Sequence, residues 1–273
     1  MLAAKPPSIS ALRMAQHLLL QKSLRREATS SRLCAFARTR IPFSSAPWRL
    51  RVTKTFPSRP GPFTGLLGGS FNPAHGGHRR ITLFAIDALG LDEAWWLVSP
   101  GNPLKPAKGM APLGARLESA RRQARRSRIR PTAIERELGT RFTVDTLKAL
   151  LRRYPKRRFV WLMGADNLAQ LHRWKDWRTI ARLMPIAVIA RPGYDGAALA
   201  SPAMAWLGRY RKPMTSLRDP ERWSAPALVT LRFDPDTRSA TAIRQADPDW
   251  ARRSGTGLSR DAVTHRTIPG MAE

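Results

Sequence analysis

The stretch that decides the fold runs from residue 65 to residue 78 and reads Gly65-Leu66-Leu67-Gly68-Gly69-Ser70-Phe71-Asn72-Pro73-Ala74-His75-Gly76-Gly77-His78. An apolar run that begins at Phe63 leads into it, and an amphipathic run from Ile81 to Leu89 leads out of it. This order of patterns predicts a strand, a glycine-rich turn and a helix.

The predicted turn has the properties of a phosphate-binding site. Gly68 and Gly69 allow the backbone to pass close to a ligand, because no Cβ atom stands in the way. The backbone N–H groups at the start of the following helix favour a phosphate. His75 and His78 are expected to enter the same pocket, where a neighbouring phosphate favours protonated imidazole.

The pattern of this loop excludes two common nucleotide-binding motifs. The Gly-Lys-Ser/Thr ending of a Walker-type loop is missing, and the glycine spacing does not match the dinucleotide fingerprint. The stretch 68–78 instead resembles the signature of the HxGH nucleotidylyltransferases. Two histidines three residues apart are also compatible with a metal site, although the motif contains no evident third ligand.

Composition limits the class of protein without deciding its partner. The chain has 273 residues with 48 Lys and Arg against 19 Asp and Glu, a formal net charge of +29. Such a charge fits either the surface of an arginine-rich protein or binding of a polyanion. The one cysteine, Cys34, excludes a disulfide within the chain. No apolar run approaches the roughly 20 residues of a membrane helix, so we expect a soluble, cytoplasmic protein.

Three regions are predicted along the chain. Residues 1–62 hold 12 Lys and Arg and one acid, and we expect a disordered basic extension, with a transit peptide as the alternative. Residues 63–248 alternate strand and helix patterns. Residues 249–273 are predicted to form a polar, frayed tail.

The alternation within 63–248 predicts an α/β fold. Strands are expected from Phe63 and at 94–99, 131–135, 159–164, 186–190 and 228–233. Helices are expected at 113–128, 142–154, 167–172 and 175–183, with Thr143 as an N-cap, and a short last helix opens at 239–244. Residues 194–226 are predicted to be irregular. The fold class is therefore a Rossmann-like, doubly wound parallel sheet, whose ligands lie at the carboxyl ends of the strands.

Further motifs narrow the resemblance to the bacterial nicotinate-nucleotide adenylyltransferase family. They are 138–147 (LGTRFTVDTL), 164–168 (GADNL), 174–177 (WKDW) and 239–244 (SATAIR). The resemblance covers roughly 63–248 and implies the nucleotidylyltransferase type of fold. It implies transfer of AMP from ATP to nicotinate mononucleotide, giving deamido-NAD and pyrophosphate, a step of NAD biosynthesis. Adenylyl transfer to nicotinamide mononucleotide or phosphopantetheine is the nearest alternative, and a basic nucleic-acid-binding protein is the alternative outside enzymes.

The resemblance also assigns residues to the ATP side. His75, His78 and Arg244 are expected to be catalytic. ATP is expected to contact Gly68, Gly69, Ser70, Phe71, His75, His78, Lys105, Gly164, Asp166, Ser239, Thr241 and Arg244. Ser239, Thr241 and Asp166 could instead only cap helices, and Arg244 could be a surface arginine. Leu104 stands before Lys105 where the family commonly has histidine, and Arg238 replaces the usual isoleucine before Ser239.

The mononucleotide side is assigned in the same way to Asn72, Thr143, Asp145, Thr146, Trp174 and Arg191. A tryptophan face can stack on a pyridine ring, although Trp174 and Trp177 could both be core residues. Mg²⁺ is expected to arrive with ATP, held mostly by phosphate oxygens and water, with no dedicated protein metal site. A homo-oligomer is compatible with the sequence.

Overall fold

The apolar runs predicted as strands lie side by side in one parallel sheet. The computed structural model describes residues 61–101, 109–190, 195–213, 224–233, 239–255 and 257–270. Within these residues the sheet has six strands in the order β3-β2-β1-β4-β5-β6. They are β1 Phe63–Gly69, β2 Glu93–Val98, β3 Ile129–Thr132, β4 Arg158–Gly164, β5 Ile186–Ala190 and β6 Leu228–Arg232. The predicted doubly wound α/β fold is confirmed.

Helices cover both faces of this sheet, because each strand sends alternate side chains to opposite sides. Leu67 of β1 packs in a core with Ile86 and Leu117, whereas its neighbour Leu66 packs in a second core with Leu147 and Ile180. The helices in chain order are α1 Gly76–Leu89, α2 Leu113–Ala124, α3 Ile134–Leu138, α4 Thr143–Arg153, α5 Ala165–Gln170, α6 Trp177–Leu183, α7 Asp195–Leu199, α8 Pro202–Leu207, α9 Ala240–Ala246 and α10 Trp250–Ser254. Short 3-10 helices follow α5 at Leu171–Arg173 and α8 at Gly208–Tyr210.

The strand order predicts where the sheet binds its ligands. β1 lies in the middle of the sheet and pairs with β2 on one side and with β4 on the other. The connections that follow β1 and β3 therefore run in opposite directions across the sheet. The crevice between the two crossovers opens at the carboxyl ends of the strands, where ligands of such sheets bind. Among the described residues, no helix has the length and apolar character needed to span a membrane.

Several local predictions are wrong. The strand expected at 131–135 lies at Ile129–Thr132, and residues 134–138 form α3. Thr143 is the first residue of α4, because the extended backbone at Phe142 makes that residue the N-cap. The segment expected to be irregular holds α7 and α8, and α8 begins with a Ser201 cap and a proline in its first turn.

The predicted frayed tail is also wrong for the residues that the structure describes. After α10, the antiparallel strands β7 Leu258–Arg260 and β8 Thr267–Pro269 pair with each other. Asp261, 1% exposed, accepts hydrogen bonds from Thr132 Oγ1 at 2.9 Å and Ala133 N at 2.7 Å. The pair therefore attaches to the end of β3.

Glycine at position 68 is required by packing inside the sheet. A Cβ atom on Gly68 would lie 2.7 Å from the Cη2 atom of Trp161 on β4. We expect Gly68→Ala to lower the free energy of unfolding by about 1–3 kcal/mol, as overpacked cores do. Gly196→Ala is the matched control, because its Cβ would meet no atom within 4 Å. Urea unfolding of both variants measures the difference, and equal stability would contradict this account of Gly68.

Candidate functional site

The turn after β1 differs from the expected glycine-rich turn. Gly68 and Gly69 are the last residues of the strand, and the turn proper spans residues 70–75. Phe71 holds a left-handed backbone with φ of 47°, which is uncommon for a residue other than glycine. Its ring is 2% exposed and stacks on Trp96, with ring centroids 5.0 Å apart. The turn is thus fixed by an aromatic anchor.

The two histidines form the cap of α1. His75 is the N-cap, and its Nδ1 accepts from Gly77 N at 3.2 Å. Nδ1 of His78 accepts from His75 N, also at 3.2 Å. Because a nitrogen that accepts carries no proton, each neutral ring holds its hydrogen on Nε2. The capping bonds therefore leave Nε2–H of each ring as its donor, and the protonation expected beside a bound phosphate stays a prediction.

A cavity of about 320 Å³ lies in front of this turn, at the carboxyl ends of β1, β2 and β4. Ten residues predicted for the site line it together, namely Gly68, Gly69, Ser70, Phe71, Asn72, His78, Thr143, Gly164, Asp166 and Trp174. Further described residues complete the wall, among them Ser99, Gly101, Glu135, Arg141, Trp161, Asn167, Arg173, Lys175 and Ala240. Residues predicted for the two substrates thus face one shared space.

Two residues predicted for the mononucleotide, Asp145 and Thr146, lie outside that wall. Thr146 is buried and donates from its hydroxyl to Glu135 Oε1 at 3.2 Å. Asp145 pairs with Lys175 Nζ at 3.1 Å, and Lys175 itself lines the cavity. Each of these two residues therefore contacts a residue that lines the cavity and does not line it itself. The predicted positions Lys105 and Arg191 lie outside the described residues.

The start of α9 reaches the turn after β1 through Arg244. Its Nη1 donates to the carbonyl oxygen of Asn72 at 2.6 Å, and its Nη2 donates to Thr241 Oγ1 at 3.2 Å. Ser239 caps α9 by accepting from Ala242 N. Ser239 therefore does cap α9, and its contact with ATP stays a prediction, whereas Arg244 has contacts that a free surface arginine would not make. His75, Ser239, Thr241 and Arg244 gather around the cavity without lining it.

Asn72 uses its side chain within the protein. Its Nδ2 donates to Gly109 O at 2.9 Å, and its Oδ1 accepts from Ala111 N at 3.2 Å. The amide thus ties the turn after β1 to the segment that leads into α2. Asn72 still borders the cavity through the same turn.

The two tryptophans of the 174–177 motif have different environments. Trp174 lines the cavity and meets Trp161 edge to face, with ring centroids 6.3 Å apart at 81°. Trp177 is buried in the core. Asp166 lies in the first turn of α5, whose N-cap is Gly164, so the capping alternative for Asp166 is wrong. Trp174 and Asp166 are thus among the residues of their motifs that face the cavity.

Sequence reasoning missed three residues near the cavity: Arg116, Glu135 and Trp161. Burial raises the pKa of the Glu135 carboxyl to about 7, and hydrogen bonds from the hydroxyls of Thr146 and Ser99 oppose that rise. No periodic signal marks Glu135, because α3 has only five residues. Arg116 does have a signal, since it lies three residues after Leu113 on the inward stripe of α2.

Positive and aromatic groups dominate one side of the wall. Arg141, Arg173 and Lys175 line it, and Lys175 Nζ lies 4.7 Å from the centre of the Phe142 ring. Among the described residues, no group of three or more His, Cys, Asp or Glu side chains is placed to hold a metal ion. The arrangement suits a flat ring and an anionic group.

The chain matches a family model and several curated proteins along most of its relatives' length. The cytidylyltransferase-like family matches residues 66–246. The probable nicotinate-nucleotide adenylyltransferase of Erythrobacter litoralis is 70% identical over 210 residues, which cover 77% of this chain and 96% of that protein. The protein of the same description from Parvibaculum lavamentivorans is 52% identical over 194 residues, covering 71% and 96%.

A solved structure is also similar. Plasmodium falciparum nicotinic acid mononucleotide adenylyltransferase complexed with NaAD aligns with a TM-score of 0.49 and 15% identity, over 67% of this chain and 83% of that one. The sequence relatives, unlike this distant neighbour, are matched along nearly their whole length at half or more identity. On that ground the chain belongs to the nicotinate-nucleotide adenylyltransferase family.

Proposed function

We propose that this chain transfers the AMP group of ATP to nicotinate mononucleotide and releases pyrophosphate, forming deamido-NAD. One observation carries the proposal: a single cavity joins the turn after β1, with His78, to the aromatic wall around Trp174. The first region suits a triphosphate and the second suits a pyridine ring. Both reactants of an adenylyl transfer can therefore meet between them.

The chemistry needs little from an acid or a base. A phosphate oxygen of the mononucleotide is ionised near neutral pH and attacks the α-phosphorus of ATP. The new bond joins that oxygen to the α-phosphorus, and the bond to the β-phosphate oxygen breaks in line, so that pyrophosphate leaves with its electron pair. The height of the activation barrier then depends mainly on how the two reactants are positioned and on how well the phosphate charge is neutralised.

His78 is assigned to the phosphates by its tautomer. Its Nδ1 accepts a backbone N–H, so its Nε2–H is the donor of a side chain that lines the cavity. His75 packs against His78 at the start of the same helix, with the centroids of the two rings 3.9 Å apart. We assign the remaining triphosphate contacts to Gly69, Ser70, Thr241, Arg244 and, from sequence alone, Lys105. Asp166 is assigned to the ribose hydroxyls of ATP.

Trp174 and Thr143 are assigned to nicotinate mononucleotide. Trp174 lines the cavity, and Thr143 lies in the first turn of α4, where backbone N–H groups can bind a carboxylate. Lys175, held by Asp145, adds a positive charge on the same side. Arg191 stays a prediction from sequence. These charges favour the acid over the amide.

Mg²⁺ is proposed to enter with ATP. Hard cations of this size keep several waters and bind mostly through phosphate oxygens, so the proposal needs no dedicated protein ligands. The cation would neutralise phosphate charge there. The cytoplasmic location and a homo-oligomeric state stay predictions.

The function is tested by release of pyrophosphate from ATP with each of three acceptors and Mg²⁺. We expect rapid release with nicotinate mononucleotide and much slower release with nicotinamide mononucleotide, because the amide lacks the charge that the basic wall attracts. Phosphopantetheine should give none. Equal turnover of the two mononucleotides would contradict the preference for the acid, and release with phosphopantetheine alone would overturn the proposal.

A further inference from the structure

A buried arginine lies behind the phosphate side of the cavity. Arg116 on α2 is 1% exposed, and its guanidinium donates to backbone carbonyl oxygens. Its Nε donates to Ala111 O at 2.8 Å, and its Nη1 donates to Ser70 O at 2.8 Å and Ser99 O at 2.6 Å. Nη2 reaches Pro100 O at 3.3 Å. One guanidinium therefore holds three separate segments.

These segments meet at the cavity. Ser70 is the first residue after β1 and Ser99 the first after β2, and both line the cavity. Ala111 belongs to the segment that enters α2. The guanidinium thus bonds to the backbone of two residues that line the cavity, and it fixes the distance between the ends of two neighbouring strands.

A second side chain of α2 supports the same turn. Ser119, less than one turn after Arg116, accepts from Ala74 N at 3.1 Å and donates to Arg116 O at 2.9 Å. Ala74 directly precedes His75. The position of the α1 cap therefore depends on α2 as well as on its own hydrogen bonds.

The charge of Arg116 has no acidic partner among the described residues, since its hydrogen bonds go to carbonyl groups. Burial lowers the pKa of its guanidinium to about 10, so the group still carries its charge at neutral pH. Carbonyl dipoles offset part of the desolvation of a buried cation, and an anion nearby offsets more. The cavity in front of Ser70 and Ser99 is the adjacent space that an anion can enter.

We propose that Arg116 is a positioning residue for the triphosphate: it fixes the turn after β1 against the segment after β2, and it provides a positive charge behind both. The inference rests on the proposed function, because it assigns the triphosphate to that side of the cavity. Arg116 acts through the backbone of Ser70 and Ser99 and does not touch the substrate.

The test compares Arg116→Lys with a matched arginine at the opposite end of the sheet. Arg157 donates to Thr64 Oγ1 and Glu93 Oε1, both at 2.6 Å, where β1 and β2 begin. Arg157→Lys therefore alters two partly buried hydrogen bonds, both made by Nη1, far from the cavity. Each protein is assayed for pyrophosphate release at varied ATP and varied nicotinate mononucleotide, for binding of MgATP alone by calorimetry, and for thermal unfolding.

We expect Arg116→Lys to lower kcat/KM for ATP by about 100-fold, the size of effect that a small misplacement of reacting groups produces. KM for nicotinate mononucleotide should stay near the wild-type value, and MgATP should bind more weakly. Arg157→Lys should lower the unfolding temperature and leave both kinetic constants near wild type. Arg116→Gln, which is neutral, should bind MgATP more weakly than the lysine variant. If the glutamine variant does not fold, the kinetics and MgATP binding of the lysine variant alone test the role of Arg116.

Two outcomes would overturn the inference. In the first, Arg116→Lys loses stability as Arg157→Lys does, with MgATP binding unchanged. In the second, it raises KM for both substrates equally, as a general loss of structure would. Failure of the proposed function is a separate result, namely no pyrophosphate from the wild type with nicotinate mononucleotide. The comparison of MgATP binding between wild type and variants then still decides the role of Arg116.

Discussion

Replacing His78 with asparagine should lower kcat by about 100- to 1,000-fold, the usual loss when one donor to a developing negative charge is removed. Asparagine Oδ1 stands as many bonds from Cβ as histidine Nδ1 does. It can therefore still accept the hydrogen bond from His75 N that caps α1. The Nε2–H that we assign to the phosphates is lost. Activity should thus fall while the unfolding temperature stays near that of the wild type.

His265→Asn is the matched control for this experiment. His265 is exposed in the turn between β7 and β8, and its φ of 60° is one that asparagine adopts readily. We expect wild-type kcat from it. His78→Ala completes the set, because it removes both the donor and the cap and should lose stability as well. Near wild-type kcat in His78→Asn would show that His78 only caps the helix.

Replacing Arg244 with lysine should produce the second large effect, a fall in kcat/KM for ATP of about 100-fold. Lysine keeps the charge but lacks the planar fork that joins Asn72 O to Thr241 Oγ1. Without the fork, the start of α9 loses its attachment to the turn after β1. The triphosphate contacts that we assign to both elements then no longer converge. Steady-state kinetics at varied ATP measure the loss.

Arg252→Lys is the control for Arg244, because Arg252 is an exposed arginine on the next helix, at 3.8 Å from Asp249. Exposed ion pairs contribute little to stability, so this variant should match the wild type in kinetics and unfolding. Equal losses in both arginine variants would indicate a general effect of lowering arginine content. A wild-type kcat/KM in Arg244→Lys would show that Arg244 is not needed at the phosphates.

The sheet could be predicted from sequence because its strands are buried on both faces. Continuous apolar runs such as 159–163 have few other stable arrangements, and five of the six strands lie within about two residues of the prediction. The helices α3, α7 and α8 were missed because five or six residues span too few turns to show a period. Asp261 could not be predicted either, since its partners at the end of β3 are distant in sequence.

The residues of the candidate site could be predicted where they belong to a sequence motif. They could not be predicted where their role depends on burial in the folded protein. His78, Gly69 and Trp174 follow from their motifs and do line the cavity. Arg116 could have been found on the inward stripe of α2, but in a chain with 48 basic residues one arginine among many gives little signal. The raised pKa of Glu135 depends on surroundings that no local pattern reveals.

The hydrogen bond between Thr132 and Asp261 joins residues that are 129 positions apart. During synthesis, β3 and the first turn of α3 emerge long before the carboxylate that completes them. Asp261 can therefore bond to the end of β3 only after nearly the whole chain has been made, although β3 is encoded near the middle. A chain that stalls on the ribosome before codon 261 would lack the carboxylate that accepts from Thr132 Oγ1 and Ala133 N.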